Sequence, residues 1–232
     1  MSTYREKESI RRVIEGFFKT GIVDEVIIVN NNAEKGTLEE VKKTKAIIIN
    51  EERQGYGYGY QSGIKQAKGD YIILCEPDGS YLSYDVEKFL VYAQEGFDVV
   101  LGSRTGQNTP LSGADMTVWR KWANVIEAKS VEILFNTNAL TDVGCTYKLF
   151  TKSALKKLSK SWKTTNSLFA TELVLLTVVN NLKFIEIPIC FRKRVGVSSL
   201  TDKWYSLVKW AIFIQAFILF FWVKRTLRIN YK

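Results

Sequence analysis

Two rhythms of apolar and polar residues alternate along this chain. Ile10, Val13, Ile14, Phe17 and Phe18 recur at the spacing that puts side chains on one helical face. The following stretch, Glu25-Val26-Ile27-Ile28-Val29, is apolar without interruption after its first residue, as expected of a parallel strand buried on both faces. The alternation then repeats. Ala46 to Ile49 reads as a second strand, Gly59 to Ala67 as a helix, Tyr71 to Cys75 as a third strand, Phe89, Leu90 and Ala93 as a helix face, and Asp98 to Leu101 as a fourth strand. Beyond a Gly/Thr/Pro-containing loop that runs to Gly113, Trp119, Trp122, Ile126, Val131 and Leu134 predict a long helix. Thr171 to Val179 then reads as helical and Lys183 to Phe191 as extended. Helices alternating with apolar strands predict an α/β domain with a mostly parallel sheet flanked by helices, and the chain carries no internal repeat.

In open sheets of this kind ligands bind beyond the carboxyl ends of the strands. Four loops fall on that rim: Asn30-Asn31-Asn32, Glu51 to Gly55, Glu76 to Ser80, and Gly102-Ser103-Arg104. The third is the most informative. Glu76 and Asp78, separated by one residue at a strand end, can reach one hard cation and leave positions for phosphate oxygens, with Ser80 as a further oxygen ligand. The competing reading is a Pro-Asp-Gly-Ser reverse turn, with Pro77 presetting φ and Gly79 in the left-handed region.

Composition narrows the chemistry. At 232 residues and 46% hydrophobic content the chain can bury one full core. A formal charge of +9 implies an anionic partner, but no nucleic-acid recognition motif is present, so phosphorylated substrates and anionic membrane surfaces rank ahead of nucleic acid. The three cysteines, Cys75, Cys145 and Cys190, are far apart and read as buried free thiols of a reducing compartment. Histidine is absent, which removes Ser-His and Cys-His nucleophiles and the usual zinc sites. The first eight residues contain no apolar segment of the kind that directs secretion.

Taken together, these residues resemble the family 2 glycosyltransferases of GT-A fold, particularly the polyprenyl-phosphate hexose synthases. Thr3 to Ile10 is similar to the family's Ala-Tyr-Asn-Glu-Glu segment, and Arg53 to Gly69 to its Arg/Gly-rich stretch, with Gly55, Gly57, Gly63, Ala67 and Gly69 in step. Glu76-Pro77-Asp78 stands at the Asp-x-Asp metal motif, Gly102-Ser103-Arg104 matches the next signature, and Arg194 to Ser198 the last. There are departures. The family's first strand normally precedes the Tyr-x-Glu segment, and only three residues do so here, so that strand is expected to be missing or truncated. Asn30-Asn31 replaces an acidic pair, Glu76 lengthens the first metal ligand by a methylene, and Gly144-Cys145-Thr146-Tyr147 replaces Ser-Gly-Phe after Asp142.

The resemblance implies transfer of a hexose from a nucleotide diphosphate sugar to a polyprenyl phosphate, inverting and dependent on Mg²⁺ or Mn²⁺. Donor contacts are expected at Tyr4, Glu6, Asn31, Arg53, Gly55, Glu76 and Asp78, with Glu76, Asp78 and Ser80 on the metal. Arg104 and Arg120 are expected on the acceptor phosphate, with Lys148 and Arg194 as weaker candidates, because planar guanidinium groups match phosphate oxygens. A phosphate nucleophile is already ionised and needs no base. Were the acceptor a saccharide hydroxyl, Asp142 or Glu172 would have to take its proton; otherwise Asp142 is a cap or turn residue and Glu172 belongs to a solvated helix face. A sugar nucleotidyltransferase and a catalytically impaired membrane partner are the other readings.

From Trp204 to Val223 the chain is strongly apolar and ends on Lys224, Arg225 and Arg228. The uninterrupted part beyond Lys209 extends ~20 Å as a helix, against a hydrocarbon core of ~30 Å. This predicts residues 1–200 as the catalytic domain and 201–232 as a helix lying in the cytoplasmic membrane interface, with Trp204, Trp210 and Trp222 at headgroup depth and the basic residues on anionic lipid. A core helix, or a helix that makes a homo-oligomer, is the alternative.

Overall fold

The computed structural model describes residues 1–106, 111, 113, 114, 116–196 and 204–227, with the side chains of Trp204 and Tyr205 excepted. Val197, Ser198 and Arg228, singled out from the sequence, lie outside the described residues, as does the expected domain boundary at 200 and 201.

In chain order the elements are β1 (Ser2–Thr3), α1 (Ile10–Lys19), β2 (Ile27–Asn30), α2 (Thr37–Lys42), β3 (Ile47–Asn50), α3 (Tyr56–Gln66), β4 (Tyr71–Leu74), α4 (Val86–Gln94), β5 (Val99–Ser103), α5 (Val118–Phe135), β6 (Lys148–Thr151), α6 (Lys152–Leu158), α7 (Phe169–Val179), β7 (Phe184–Pro188) and α8 (Trp204–Thr226). One sheet has the order β1-β2-β3, all parallel; the other has the order β4-β6-β5-β7, with β5 and β7 parallel and β6 antiparallel to both its neighbours. The expected α/β architecture is therefore present, and the apolar runs became strands close to where the pattern put them.

The first strand, expected to be missing or truncated, is present in short form. Ser2 and Thr3 pair with Val29 and Asn30, and Val29 N–H donates to the Met1 carbonyl at 2.9 Å, so a two-residue strand occupies the position beside β2. Nor did the sequence announce β6. Its polar ends, Lys148 and Thr151, leave only Leu149 and Phe150 as an apolar signal, and the strand exists because both edges are paired.

Side-chain alternation splits the core in two. Val99, Leu101 and Phe150 enter the layer formed with α5, α6, α7 and α8, while Val100 and Leu149 enter the layer beneath α1 and α4 with Ile14, Phe17 and Phe89. The thiols of Cys75 and Cys145 are buried as expected, whereas Cys190 is half-buried; all three are free. α8 belongs to the first layer: Ile218 and Phe221 are buried in it, and the helix packs against α5 and α7. Its opposite face leaves Ile212, Phe213, Phe220 and Val223 exposed. The segment Ser206–Thr226 is long and apolar enough to cross a membrane by length and composition.

Candidate active site

A cavity of about 520 Å³ opens where the strands end. At one end, β4 delivers Glu76 and Asp78 through the turn Glu76 to Ser80, in which Gly79 adopts φ +80°, a conformation that strains any residue with a Cβ. Both readings of the segment are thus realised together: it is a reverse turn, and it presents two carboxylates. Asp78 is 2% exposed, and its Oδ1 accepts from the backbone N–H of Ser80 at 2.9 Å and from the Ser80 hydroxyl. Its Oδ2 is paired with Arg194, whose Nη2 lies 3.9 Å from Oε2 of Glu76. Glu76 also accepts from the Thr146 hydroxyl at 2.9 Å. Burial, and then the charge of Asp78, raise the Glu76 pKa, and Arg194 opposes them.

A guanidinium between two carboxylates shows that this corner is built for positive charge. Two carboxylates and one hydroxyl are a partial set of hard oxygen ligands, which suits Mg²⁺ or Mn²⁺, ions that retain waters and share phosphate oxygens with a substrate. Among the described residues no group of three or more His, Cys, Asp or Glu side chains surrounds a common point. The residues present therefore fit a divalent cation held jointly with an anionic ligand.

Arg104, directly after β5, lines the same cavity. Its Nε and Nη2 donate to the two oxygens of Asp142 at 2.7 and 2.8 Å, and its backbone N–H to Oδ2 at 3.1 Å. Burial works against the guanidinium charge, but Asp142 more than offsets it and holds the Arg104 pKa well above its ordinary value. Asp142 is fully buried, and its own N–H donates to Glu186 at 2.9 Å. The proposed use of Asp142 as a base is therefore corrected: both oxygens are spent on aiming Arg104. Arg120 enters from the first turn of α5, which Thr117 caps by accepting the Arg120 N–H. Further along that helix, Asn124 and Glu127 line the same cavity.

Other expectations are also revised. Lys148 is 1% exposed, is not among the residues lining the cavity, and burial lowers its pKa, so the structure does not bring it to the arginines expected on the acceptor phosphate. Glu172 is neither a base nor part of a solvated face. It is 1% exposed and accepts from the backbone N–H groups of Lys163 and Thr164, both at 2.9 Å. The loop it fastens seats α3: Gly57 N–H donates to Thr165 O at 2.9 Å, and a Cβ at Gly57 would lie 2.5 Å from Thr164 O, so only glycine permits this approach. Arg53 is not among the lining residues; it is chelated by Glu51 at 2.8 Å and stacked over Tyr58.

The remaining donor-side residues, Tyr4, Glu6, Asn31 and Gly55, do line the cavity. Asn31 is occupied: its Nδ2 donates to the carbonyls of Glu51 and Arg53, and its Oδ1 accepts from Gly55 N–H at 2.9 Å. It clips the loop between β3 and α3 into place, with both donors of its amide already used. Glu6 likewise accepts from Thr3, Tyr4 and Arg5, ordering the turn before α1. Across the cavity, α8 supplies an apolar wall of Leu207, Trp210, Ala211 and Ile214.

An α/β fold in which helices flank the two sheets, with an acidic pair at one strand end and arginines lining the same rim cavity, is the arrangement of a GT-A glycosyltransferase. Solved structures agree in fold: glucosyl-3-phosphoglycerate synthase from Mycobacterium tuberculosis superposes with a TM-score of 0.69 at 14% identity, covering 94% of this chain and 77% of that one. A second structure of that synthase, in complex with Mn²⁺ and uridine-diphosphate-glucose, gives a TM-score of 0.68. The chain belongs to the Glycosyl transferase family 2, whose model matches residues 1–159.

Two relatives come from Haloferax volcanii. A low-salt glycan biosynthesis hexosyltransferase is 25% identical over 88% of this chain, which spans 50% of that protein's length. A dolichyl-phosphate hexose transferase is 26% identical over 86% of this chain and 84% of its own length.

Proposed function

We propose that the protein transfers a hexose from a nucleotide diphosphate sugar to a polyprenyl phosphate, with inversion. The observation that carries this reading is the combination of chemistries lining one cavity: the carboxylates of Glu76 and Asp78, the guanidinium groups of Arg104 and Arg120, and the apolar residues of α8. That combination suits a diphosphate held through a cation, a phosphate nucleophile, and an isoprenoid chain. The Mn²⁺ and uridine-diphosphate-glucose bound by the fold relative, and the substrate class in the name of the dolichyl-phosphate hexose transferase, support it.

Glu76, Asp78 and Ser80 would hold Mg²⁺ or Mn²⁺, which, when bound, neutralises charge growing on the departing diphosphate. Arg194, already beside both carboxylates, belongs with the diphosphate rather than with the acceptor. Arg104, locked by Asp142, and Arg120 orient the acceptor phosphate. A phosphate oxygen attacks the anomeric carbon, the bond from that carbon to the diphosphate breaks, and the nucleoside diphosphate leaves with the electron pair. No proton moves, which matches a cavity in which neither Asp142 nor Glu172 is placed to accept one.

The exposed apolar face of α8 is continuous in character with α5, where Trp119 is 79% and Ile133 75% exposed. We assign this face to an anionic membrane surface on its cytoplasmic side, with Lys224 and Arg225 against lipid headgroups. Self-association through the same helix would instead appear as dimers in detergent-free sedimentation.

The test is a transfer assay with the full chain, UDP-glucose, GDP-mannose and UDP-N-acetylglucosamine as donors, and geranyl phosphate as acceptor, with Mn²⁺ or Mg²⁺. A glycosyl phosphate ester whose anomeric configuration is opposite to the donor's is expected from at least one donor. Transfer to saccharide hydroxyls alone would overturn the acceptor assignment, and inertness toward every donor would favour an impaired partner.

A further inference from the structure

One carboxyl group in the cavity has no part in the scheme above. Glu127 follows Arg120 by seven positions and Asn124 by three on α5, so the three side chains share a helical face and enter the cavity together. Glu127 is 4% exposed, yet its Oε2 has no hydrogen-bond partner among the described residues. Natural proteins seldom leave a buried carboxyl oxygen unpaired, because the group loses its water without gaining a partner, so a carboxyl of this kind on a cavity wall calls for a functional reason.

The charged groups around it come from few directions. Asp142 and Arg104, from the loops before β6 and after β5, are the charges that act on it, and Arg120 shares its helix. α7 and α8 line the cavity with Ala170, Thr171, Ala211 and Ile214 and bring no charge there. Burial, and then the charge of Asp142, push the Glu127 carboxyl up to about 8, with Arg104 opposing. At neutral pH it is mostly protonated and can donate as well as accept.

We propose that Glu127 is a specificity-determining residue: its neutral carboxyl donates a hydrogen bond to the anionic head group of the acceptor, beside Arg120. This rests on the phosphate-acceptor reading above. A carboxylate in that position would repel a phosphate, so the proton turns an excluding group into a recognising one. A phosphate monoester offers acceptor oxygens only, which a protonated carboxyl satisfies and a carboxylate does not.

The test is calorimetric titration of the full chain with geranyl phosphate between pH 6.5 and 9.5, in two buffers of different ionisation enthalpy. Wild-type affinity is expected to fall by about tenfold per pH unit above pH 8, with protons taken up on binding, because the complex holds a proton that free Glu127 loses there. Glu127→Gln, which keeps the shape and a donor but does not titrate, should bind within about threefold of wild type at pH 7 and lose both the pH dependence and the proton uptake. Identical profiles for the two proteins would overturn the role of Glu127 and leave the phosphate reading standing. Failure of both proteins to bind geranyl phosphate at any pH, with nucleotide diphosphate binding intact, would overturn the phosphate reading and this proposal with it.

Discussion

Thr146 donates its hydroxyl proton to Oε1 of Glu76 at 2.9 Å, and the hydroxyl of Tyr56 closes on Thr146 from the other side. Two departures from the family pattern, the longer acid of the strand-end motif and the altered segment after Asp142, thus touch each other. Glutamate has one more rotatable bond than aspartate, and the Tyr56-Thr146 chain removes the freedom that this adds. Thr146→Val keeps the shape and deletes the donor. It should weaken Mn²⁺-dependent binding of a nucleoside diphosphate by about 1 kcal/mol, roughly fivefold, the usual worth of one such hydrogen bond. Calorimetry checks this, and unchanged affinity would mean that Glu76 is oriented by Arg194 instead.

Arg194 holds the place between Glu76 and Asp78 that a cation would take. The two must compete for the same carboxylate oxygens. Arg194→Ala is therefore expected to bind Mn²⁺ alone more tightly than wild type, by about threefold to tenfold given the strength of one charge-assisted contact, as read by Mn²⁺ paramagnetic resonance. Asp78→Ala should abolish metal-dependent nucleotide binding in the same assay, since Oδ1 and Oδ2 organise both Ser80 and Arg194.

Asp142 and Arg104 form a pair with side-chain exposures of 0% and 16%. Breaking such a pair leaves a guanidinium with little water and without its carboxylate. Asp142→Ala should destabilise the fold by about 3–5 kcal/mol in urea denaturation. A surface base would cost under about 1 kcal/mol on removal, so the size of the loss separates the two roles.

The legible part of this protein was whatever a local pattern encodes. Continuous apolar runs such as Ile27 to Val29 and Val99 to Leu101 announced strands, and the rim loops after them carried the cavity residues Glu76, Asp78 and Arg104. What stayed hidden was set by contacts between residues distant in sequence. Nothing near Glu172 reveals that its carboxylate will fasten Lys163 and Thr164 and thereby seat α3. Asp142 read as a free carboxylate because its partner lies 38 residues away. Asn31 read as a ligand because the backbone groups it binds, on Glu51, Arg53 and Gly55, come from another loop. Glu127 was the one missed residue with a visible signal: an acid seven residues beyond Arg120 on the same face of a mostly apolar helix.

α8 has two different faces, one buried against the core and the cavity and one apolar and exposed, and that changes what truncation can test. Removing the chain from Lys203 onward would take away the proposed membrane contact, but it would also remove Ile218 and Phe221 from the core and Leu207, Trp210, Ala211 and Ile214 from the cavity wall. Loss of activity after such a cut is expected with long and short acceptors alike. Substitution of the exposed face isolates the membrane contact. Phe213→Ser combined with Phe220→Ser removes two aromatic side chains that are 49% and 53% exposed and leaves the buried face whole. If they enter the headgroup and acyl boundary, each contributes about 1.5–3 kcal/mol of partitioning. The double variant should melt within a few degrees of wild type, transfer to soluble geranyl phosphate at the wild-type rate, and sediment with phosphatidylglycerol vesicles at least tenfold less. Unchanged sedimentation would move the membrane contact to the exposed tryptophans of α5, where Trp119→Ser and Trp122→Ser are the corresponding changes.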